Sequence, residues 1–216
     1  MRSASDLQTS IQGAFEGLSR KDFPADLAYL VVTMTSESIL RDAFATKLRK
    51  KLSSEHYAVG RELGKKLGYR DIGVFGREGE HFSALQAGIE IKVVAAPGKT
   101  LSKRSLKIGK LSEQLKKRGK EEPRDARRYG LLVVREIKEC STESSSEFEA
   151  VIKNRLKSLN HFHSFEEIDQ AVKSGAKETG LKVIAHQQLD ADYDDQFQIK
   201  AKWNLWLCSL VREYQH

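Results

Sequence analysis

The chain has 216 residues, of which 39% are apolar and 31% charged, and this profile excludes a disordered or fibrous protein. Its net charge of +7 is unevenly distributed, because residues 99–128 hold twelve Lys and Arg against four Asp and Glu, a balance of +8, and the rest of the chain sums to −1. A uniformly basic surface is therefore excluded, and the basic segment indicates a polyanionic partner, most often nucleic acid.

The cysteine content and the hydropathy pattern bear on the cellular compartment. The two cysteines, Cys140 and Cys208, are too few for a disulfide framework or a four-cysteine zinc site and are typical of a reducing compartment. No apolar run approaches the roughly 18 residues that span a membrane, and residues 1–10 lack the apolar core of a signal peptide. We therefore expect a cytoplasmic protein that contacts no membrane.

The first quarter of the chain is predicted to be helical. Apolar residues recur at helical spacing in residues 4–19, and residues 26–34 form a compact apolar segment that we also interpret as a helix. A further helix is predicted over residues 36–52, where Lys and Arg crowd the last turns and suit the negative end of the helix dipole.

Strand patterns follow this helical part. Alternating apolar and polar residues predict strands over residues 56–63 and 69–76, and residues 77–88 are interpreted as a turn or hairpin tip. The β-branched run at residues 89–96 predicts a third strand, which Pro97-Gly98 ends.

The basic segment combines a helix and a loop. Residues 105–118 carry apolar side chains at helical spacing with Lys and Arg on the other face, and residues 119–128 are interpreted as an exposed loop. The apolar start of residues 129–139 predicts a buried strand.

The last third of the chain is predicted to contain helices and a hairpin. Helical patterns cover residues 141–159 and 164–180, and two strands, 181–189 and 197–211, flank an acidic turn. The whole order is that of a mixed α/β domain with a central sheet.

Charged side chains interrupt the predicted strands at specific positions. Glu90 and Lys92 flank Ile91 and point to one side of the third strand, opposite to its β-branched neighbours. Asp71 begins the second strand, so a hairpin of these strands would bring Asp71 and Glu90 together at the sheet end away from residues 77–88. Buried charges need partners, and either a structural salt bridge or a Mg²⁺ site would supply them.

Glu37 adds a third carboxylate. At about 100° per residue it lies mid-way across the apolar face that Phe44 and Leu48 define, at the N-terminal end of its helix. One interpretation is a first-turn Glu favoured by the helix dipole. The other has Glu37 leaning over the sheet toward Asp71 and Glu90.

This pattern resembles the PD-(D/E)XK nuclease superfamily, the fold of restriction endonucleases and of many repair and recombination nucleases. The resemblance covers roughly residues 35–139 and implies an αβββαβ core. The chain departs from the motif at Arg70, which stands where the name of the superfamily has Pro. The residues that carry the resemblance are Glu37, Asp71 and Glu90-Ile91-Lys92, followed by a helix and a strand.

The resemblance also implies roles for these residues. Asp71 and Glu90 would be ligands of Mg²⁺, with Mn²⁺ as a substitute metal, and the Ile91 carbonyl would be a further ligand. Lys92 would position the attacking water, and Glu37 would bind a second metal ion or a water.

Two further polar residues are weaker candidates. Glu62 ends the first predicted strand and either faces the same site or pairs with Lys65 or Lys66. Gln114 lies on the helix after the third strand, where some relatives carry a polar active-site residue, and the alternative is a solvated glutamine on the helix surface.

The basic segment follows directly after the proposed catalytic strand. Its first half would approach a phosphate backbone beside Glu90 and Lys92, giving affinity and register without sequence information. The alternative is a solvated helix face. The candidates for DNA contact are Lys99, Lys103, Arg104, Lys107 and Lys110.

We therefore expect a Mg²⁺-dependent DNA endonuclease in an α/β fold, with a restriction endonuclease-like αβββαβ core, a central mixed sheet, extra N-terminal helices and a C-terminal helix plus β-hairpin. Residues 1–216 would form one nuclease domain: a helical extension (1–34), a catalytic core (35–139) and a part for recognition or dimerisation (140–216). A restriction-type homodimer is the preferred interpretation. The alternatives are a repair or recombination nuclease acting on DNA ends or junctions, and a non-catalytic DNA-binding module of the same fold.

Overall fold

A mixed β-sheet with helices on both faces organises the described part of the chain. The computed structural model describes residues 4–23, 37–78, 80–95, 101–102, 104–142, 163–190, 193–194 and 197–211. The helices are α1 (Ala4–Glu16), α2 (Glu37–Lys51), α3 (Ile108–Lys116) and α4 (Phe165–Glu178). The strands are β1 (Tyr57–Arg61), β2 (Ile72–Glu78), β3 (His81–Ala95), β4 (Arg127–Thr142), β5 (Leu181–Asp190), β6 (Tyr193–Asp194) and β7 (Phe197–Leu210).

The strand order across the sheet is β1-β2-β3-β4-β7-β5, and the short β6 pairs with β7. Strands β3 and β4 run parallel, whereas the other neighbours are antiparallel. Two parallel strands need a crossover connection, and α3 supplies it here. The mixed α/β class, the central mixed sheet and the predicted order of elements from α2 to β4 are therefore confirmed.

Each face of the sheet has its own hydrophobic core. Along β3, Ile89 and Ile91 pack with α1 and α2, whereas Val94 packs with α3 and α4 on the opposite face. The two tryptophans of β7 follow the same alternation. Trp203 lies edge-on to Phe23, with ring centroids 5.2 Å apart, in the core that contains α1 and α2.

Both faces of β7 are buried over residues 205–208, which explains the unbroken apolar run there. Trp206 lies in the core that contains α3 and α4, where it stacks on Phe165 of α4 with ring centroids 5.8 Å apart. Its indole Nε1 donates a hydrogen bond of 2.9 Å to Asp169. Both tryptophans of β7 are therefore core residues.

The hairpin of β2 and β3 differs from the prediction. β3 begins at His81 and pairs with β2 as far as Glu78, so the prediction of a turn or hairpin tip is wrong for residues 81–88. This segment holds no β-branched side chain, and cross-strand pairing outweighs its weak local propensity. β2 begins at Ile72, so Asp71 precedes the strand instead of beginning it.

The connection between α3 and β4 is also different from the prediction. α3 ends at Lys116, and the loop over residues 119–128 is exposed only in part. Glu122, Ala126 and Arg128 are buried. Two charged residues of this loop, Glu122 and Arg128, are therefore part of the interior, and their partners are described with the site below.

Of the remaining predicted elements, some are confirmed and others lie wholly or partly outside the described residues. The helix predicted over 164–180 is confirmed as α4, and β5 and β7 form the predicted antiparallel pair. The helix predicted over 26–34 lies outside the described residues, as do residues 143–159 of another predicted helix, whose first two residues end β4. None of the helices in the described ranges is long and apolar enough to cross a lipid bilayer.

Candidate active site

Strands β2 and β3 separate at one point, and Asp71 occupies the gap. Their pairing ends at Ile72 opposite Ile89, while β3 continues to Ala95 with β4 on its other side. The Ile91 N–H donates a 2.7 Å hydrogen bond to Asp71 Oδ2, so a carboxylate replaces the missing strand. Because the N–H and C=O of one strand residue face the same neighbour, the Ile91 carbonyl also faces the side of Asp71.

The connection from β1 to β2 fixes the main chain around Asp71. The N–H of Glu62 donates to the Asp71 carbonyl at 2.9 Å, and the N–H of Leu63 donates to the Arg70 carbonyl at 2.7 Å. Glu62 and Tyr69 both adopt left-handed backbone angles, with φ of 54° and 53°. Such angles are uncommon outside glycine and cost free energy, so this turn is held by its surroundings.

Lys92 joins two carboxylates from different elements. Its Nζ lies 3.2 Å from Glu90 Oε1 and 3.4 Å from Glu37 Oε1, at the first turn of α2. Glu90 is 4% exposed, and its Oε2 is buried without a hydrogen-bond partner among the described residues. The structure therefore brings Glu37 to the lysine of the strand and leaves one oxygen of Glu90 unsatisfied.

Close packing of α3 on the sheet explains the burial of Glu90. The register partner of Glu90 on β4 is Gly130, and a Cβ placed there would lie 2.8 Å from Leu111 Cδ2. Because Gly130 has no side chain, α3 packs directly against β4 beside the Glu90 carboxylate. Glu90 is consequently shielded from water on the face that α3 covers.

Burial and mutual repulsion shift the pKa values of the carboxylates. Burial raises the pKa of Glu90 to about 6, and the negative charge of Asp71 adds to this shift while Lys92 opposes it. Burial also raises the pKa of Asp71. The hydrogen bond from the Ile91 N–H lowers this pKa, and repulsion from Glu37 raises it further. The site thus holds more negative charge than its environment stabilises.

Lys92 supplies positive charge beside these carboxylates. Burial by itself would lower the pKa of Lys92, yet the attraction of Glu37, Glu90 and Asp71 leaves that pKa raised. Lys92 is therefore a charged ammonium at neutral pH, a donor of hydrogen bonds and not a base. Arg70 also attracts Glu90 and Arg41 attracts Asp71, yet the pKa values of both carboxylates remain raised.

A hard cation fits this donor set. Mg²⁺ takes oxygen ligands from one or two carboxylates and keeps several waters, and the buried, unpartnered Oε2 of Glu90 is an oxygen of this kind. Within the described ranges, no group of three or more His, Cys, Asp or Glu side chains is arranged to hold a metal ion on its own. A cation held by one or two of these carboxylates would take its other ligands from water.

Arg70, the residue before Asp71, ties this region to the end of α3. Its guanidinium donates to the main-chain carbonyls of Gln114 at 2.7 Å, Leu115 at 3.3 Å and Lys117 at 2.6 Å. The last carbonyls of a helix lack partners within the helix, so Arg70 caps α3. Arg70 is fully buried, and its side chain lies over Gly88, where an added Cβ would be 2.9 Å from Arg70 Cγ.

A second arginine completes this buried cap. Arg128 Nε donates to Glu122 Oε1 at 2.8 Å, and Arg128 Nη1 donates to the Leu115 carbonyl at 3.1 Å. The other oxygen of Glu122 lies 3.6 Å from Arg70 Nη2 and accepts from the Gly119 N–H at 3.0 Å. Two buried guanidinium groups therefore share one carboxylate, which sequence analysis missed because it assigned this loop to the surface.

The two weaker candidates lie outside the carboxylate group. Glu62 pairs with Arg41 on α2, not with Lys65 or Lys66, and its side chain is 70% exposed. Gln114 contributes its main-chain carbonyl to Arg70, and its Oε1 is buried without a partner in the described part of the chain, so the solvated interpretation is wrong for this oxygen. Their proposed catalytic roles remain predictions.

The basic candidates divide in two groups. Arg104, Lys107 and Lys110 are on or just before the first turn of α3, and all three are exposed. Lys99 and Lys103 lie outside the described residues. The second half of the basic segment lines a cavity that is described below. Its charges are included in the charge count of the segment, but sequence analysis did not single out its residues.

Replacing Glu90 with Gln is expected to stabilise the fold at about pH 8 by about 1–2 kcal/mol. The folded-state pKa of Glu90, about 6, exceeds the ordinary 4.5, so the folded protein binds more protons between these values and its stability falls as pH rises through this window. The stabilisation by Glu90→Gln should therefore vanish as pH falls from about 6 to about 4.5. Urea unfolding at a series of pH values measures it, and an equal effect at all pH values would contradict a buried ionised Glu90.

Four side chains from three elements thus meet where β2 and β3 separate: Glu37, Asp71, Glu90 and Lys92. Their chemistry is that of a small acidic site with one fixed ammonium. Comparisons with protein-family models, with curated proteins and with solved structures found no match to this chain.

Proposed function

We propose that the protein is a Mg²⁺-dependent deoxyribonuclease of the PD-(D/E)XK type that hydrolyses phosphodiester bonds. The observation that carries the proposal is the convergence of Asp71 and Glu90 at the separation of two strands, with Lys92 between Glu90 and Glu37. The order of elements from α2 to β4, with β3 parallel to β4, supports the restriction endonuclease-like core.

The residues that would hold the metal are Asp71, Glu90 and the carbonyl of Ile91, with Glu37 binding a second ion or a water. Mg²⁺, or Mn²⁺ in its place, would supply Lewis-acid polarisation and neutralise charge on the scissile phosphate. The buried Oε2 of Glu90 and the raised pKa values of both carboxylates favour a bound cation, because a cation would relieve the repulsion within the site.

Lys92 is the chain's own contribution to the chemical step. Its ammonium is held between Glu90 and Glu37, so its remaining N–H is oriented by two fixed partners. Because its pKa is raised, Lys92 donates a hydrogen bond from this N–H to the attacking water instead of removing a proton from it. Positioning of the water and charge stabilisation are the effects assigned to it.

DNA is the proposed substrate, and a restriction-type homodimer in the cytoplasm is the preferred form. Duplex cleavage by one small domain needs two active sites, which a two-fold dimer supplies. The elements after β4, namely α4 and the β5–β7 pair, would contribute recognition or dimer contacts. A repair or recombination nuclease, or a non-catalytic DNA-binding module, are the competing functions.

Digestion of plasmid and genomic DNA with Mg²⁺ tests the proposal. Discrete fragments are expected from a restriction-type enzyme, whereas smearing or dependence on ends and junctions would identify a repair nuclease. DNA that stays intact with Mg²⁺ and with Mn²⁺ would contradict a nuclease and favour the binding module. RNA substrates in parallel test the choice of DNA.

Mg²⁺ binding is expected to be visible without any cleavage assay. With a dissociation constant of about 1 mM, about 10 mM Mg²⁺ would raise the Tm by about 3–5 °C. The shift should grow between about pH 5 and about pH 7, because Glu90, with a pKa of about 6, must be ionised to bind. Differential scanning calorimetry measures it.

Matched carboxylate variants sharpen this measurement. Glu90→Gln and Asp71→Asn should abolish the Mg²⁺-induced shift, whereas Glu166→Gln, which removes an exposed carboxylate on α4, should retain it. Loss of the shift in Glu166→Gln alone would place the cation elsewhere and overturn the assignment of Asp71 and Glu90.

A further inference from the structure

The second half of the basic segment builds a cavity of about 940 Å³. It opens where the end of α3 and the starts of β4 and β5 meet the end of β7. Five of its twelve lining residues are Lys or Arg, and none is Asp or Glu. We call it the basic cavity, and its cationic residues are Lys116, Arg118, Arg124, Arg127 and Arg128.

The basic cavity is distinct from the carboxylate site. Arg127 pairs with Ala87 of β3, three positions before Glu90 along the same strand. The other lining residues belong to α1, to the end of α3 and the loop after it, to the start of β4, to the residue before β5 and to the end of β7. None of them belongs to the carboxylate site, so the two sites share no residue.

Arg128 shows that positive charge is built into the wall of this cavity. It is 9% exposed, and its Nη2 is buried without a hydrogen-bond partner among the described residues. Its carboxylate partner, Glu122, also serves Arg70. Arg128 thus shares its carboxylate with a second guanidinium group, and a bound anion would supply the partner that its buried Nη2 lacks among the described residues.

Hydrogen bonds of two further arginines hold the rim. Arg127 Nη1 donates to Gln8 Oε1 of α1 at 3.2 Å, and Arg118 Nη2 donates to the Arg124 carbonyl at 3.1 Å. These contacts use one donor atom of each guanidinium and leave others for a ligand. A guanidinium presents several donors in a planar fork that matches phosphate oxygens.

We propose that the basic cavity binds phosphate groups, either those of a nucleic-acid strand or that of a free nucleotide. Its volume is in the range of sites for nucleotide-sized ligands and exceeds what a single inorganic ion fills. The nucleic-acid source rests on the proposed nuclease function, as a second contact that holds the strand away from the carboxylates. The free-nucleotide source does not depend on that function.

The test uses a short fluorescein-labelled DNA duplex, fluorescence anisotropy and EDTA, so that no metal-dependent step contributes. The variant is Arg118→Gln/Arg124→Gln, which removes two exposed rim charges. The control is Lys50→Gln/Lys51→Gln, an equal charge change at the exposed end of α2, outside the cavity lining. Thermal melting checks that both variants are folded.

Binding of the duplex becomes weaker as salt rises, and a plot of the logarithm of the association constant against the logarithm of the salt concentration gives the slope. Loss of two phosphate contacts should make this slope less steep by about 1.8. The ratio of wild-type to variant affinity is then expected to fall about twelvefold as salt rises from about 50 to about 200 mM. The control variant should follow the wild type. This result identifies a nucleic-acid strand as the source of the phosphates.

A second arm measures the binding of adenosine 5′-monophosphate by titration calorimetry. Binding to the wild type that the rim variant loses, with duplex binding unchanged, identifies a free nucleotide as the ligand. The proposal is overturned when the rim variant binds both probes as the wild type does, or when the wild type binds neither.

These outcomes are separable from failure of the nuclease proposal. Duplex binding is measured in EDTA, so it does not depend on a metal-dependent cleavage step. A wild type that cleaves no DNA but loses duplex binding through Arg118→Gln/Arg124→Gln would contradict the nuclease function alone.

Discussion

Replacing Lys92 with Met is expected to slow DNA cleavage by about a thousandfold while the protein keeps its Mg²⁺-induced rise in Tm. Met retains most of the side-chain volume but removes the ammonium that lies between Glu90 and Glu37. The attacking water then lacks its donor, whereas the carboxylate oxygens proposed to bind the metal stay in place. Single-turnover cleavage and calorimetry measure the two properties separately.

The pH of this experiment follows from the electrostatics. Without Lys92 the repulsion within the site is stronger, and the already raised pKa values of Glu90 and Asp71 should rise further. Measurements at about pH 8 keep both carboxylates ionised, so a lower rate reports the loss of the ammonium and not protonation of the ligands.

Two control variants decide the interpretation of this result. Lys177→Met removes an exposed lysine at the end of α4 and should cleave as the wild type does. Lys92→Arg keeps the charge with a different shape and should restore cleavage only in part. Wild-type cleavage by Lys92→Met would contradict the proposed role of Lys92, and loss of the Mg²⁺ response would show that Lys92 supports metal binding instead.

Replacing Arg70 with Met is expected to lower the free energy of unfolding by about 3–5 kcal/mol. Three carbonyls at the end of α3 lose their donor, and Glu122 keeps only Arg128 as a charged partner. Met fills a similar volume, so the change reports the lost hydrogen bonds and charge more than a cavity. Urea unfolding monitored by circular dichroism measures it.

Arg104→Met is the control for this effect, because Arg104 is an exposed arginine just before α3. Its free energy of unfolding should stay within about 0.5 kcal/mol of the wild type. Arg70→Lys should recover part of the loss, because a single ammonium reaches fewer carbonyls than the guanidinium fork. Equal stability of Arg70→Met and the wild type would show that the cap contributes nothing.

The sequence pattern predicted the residues of the carboxylate group better than the contacts that surround them. Glu90 and Lys92 interrupt a β-branched strand, and this local alternation is visible in any single sequence. The burial of α2 residues around Phe44 and Leu48 also followed from helical spacing. Such signals lie within one element, so they need no knowledge of the tertiary structure.

The missed features depend on partners far apart in the chain. Arg70 appeared as an ordinary charged residue beside a strand, yet its guanidinium bonds carbonyls 44 to 47 residues away. Residues 81–88 form a strand because β2 lies beside them, and not because of their composition. The basic cavity combines α3, β4, β5 and β7, so the charge count alone gave the segment but not the concave surface.

The separation of β2 from β3 also provides the protein with an intrinsic spectroscopic probe. The amide proton of Ile91 bonds to the Asp71 carboxylate and not to a neighbouring strand, so its magnetic shielding depends on the charge of that carboxylate. Protonation, a cation or an incoming phosphate would each change this single backbone resonance. The state of the proposed centre is therefore observable in solution without an inhibitor or a substrate analogue.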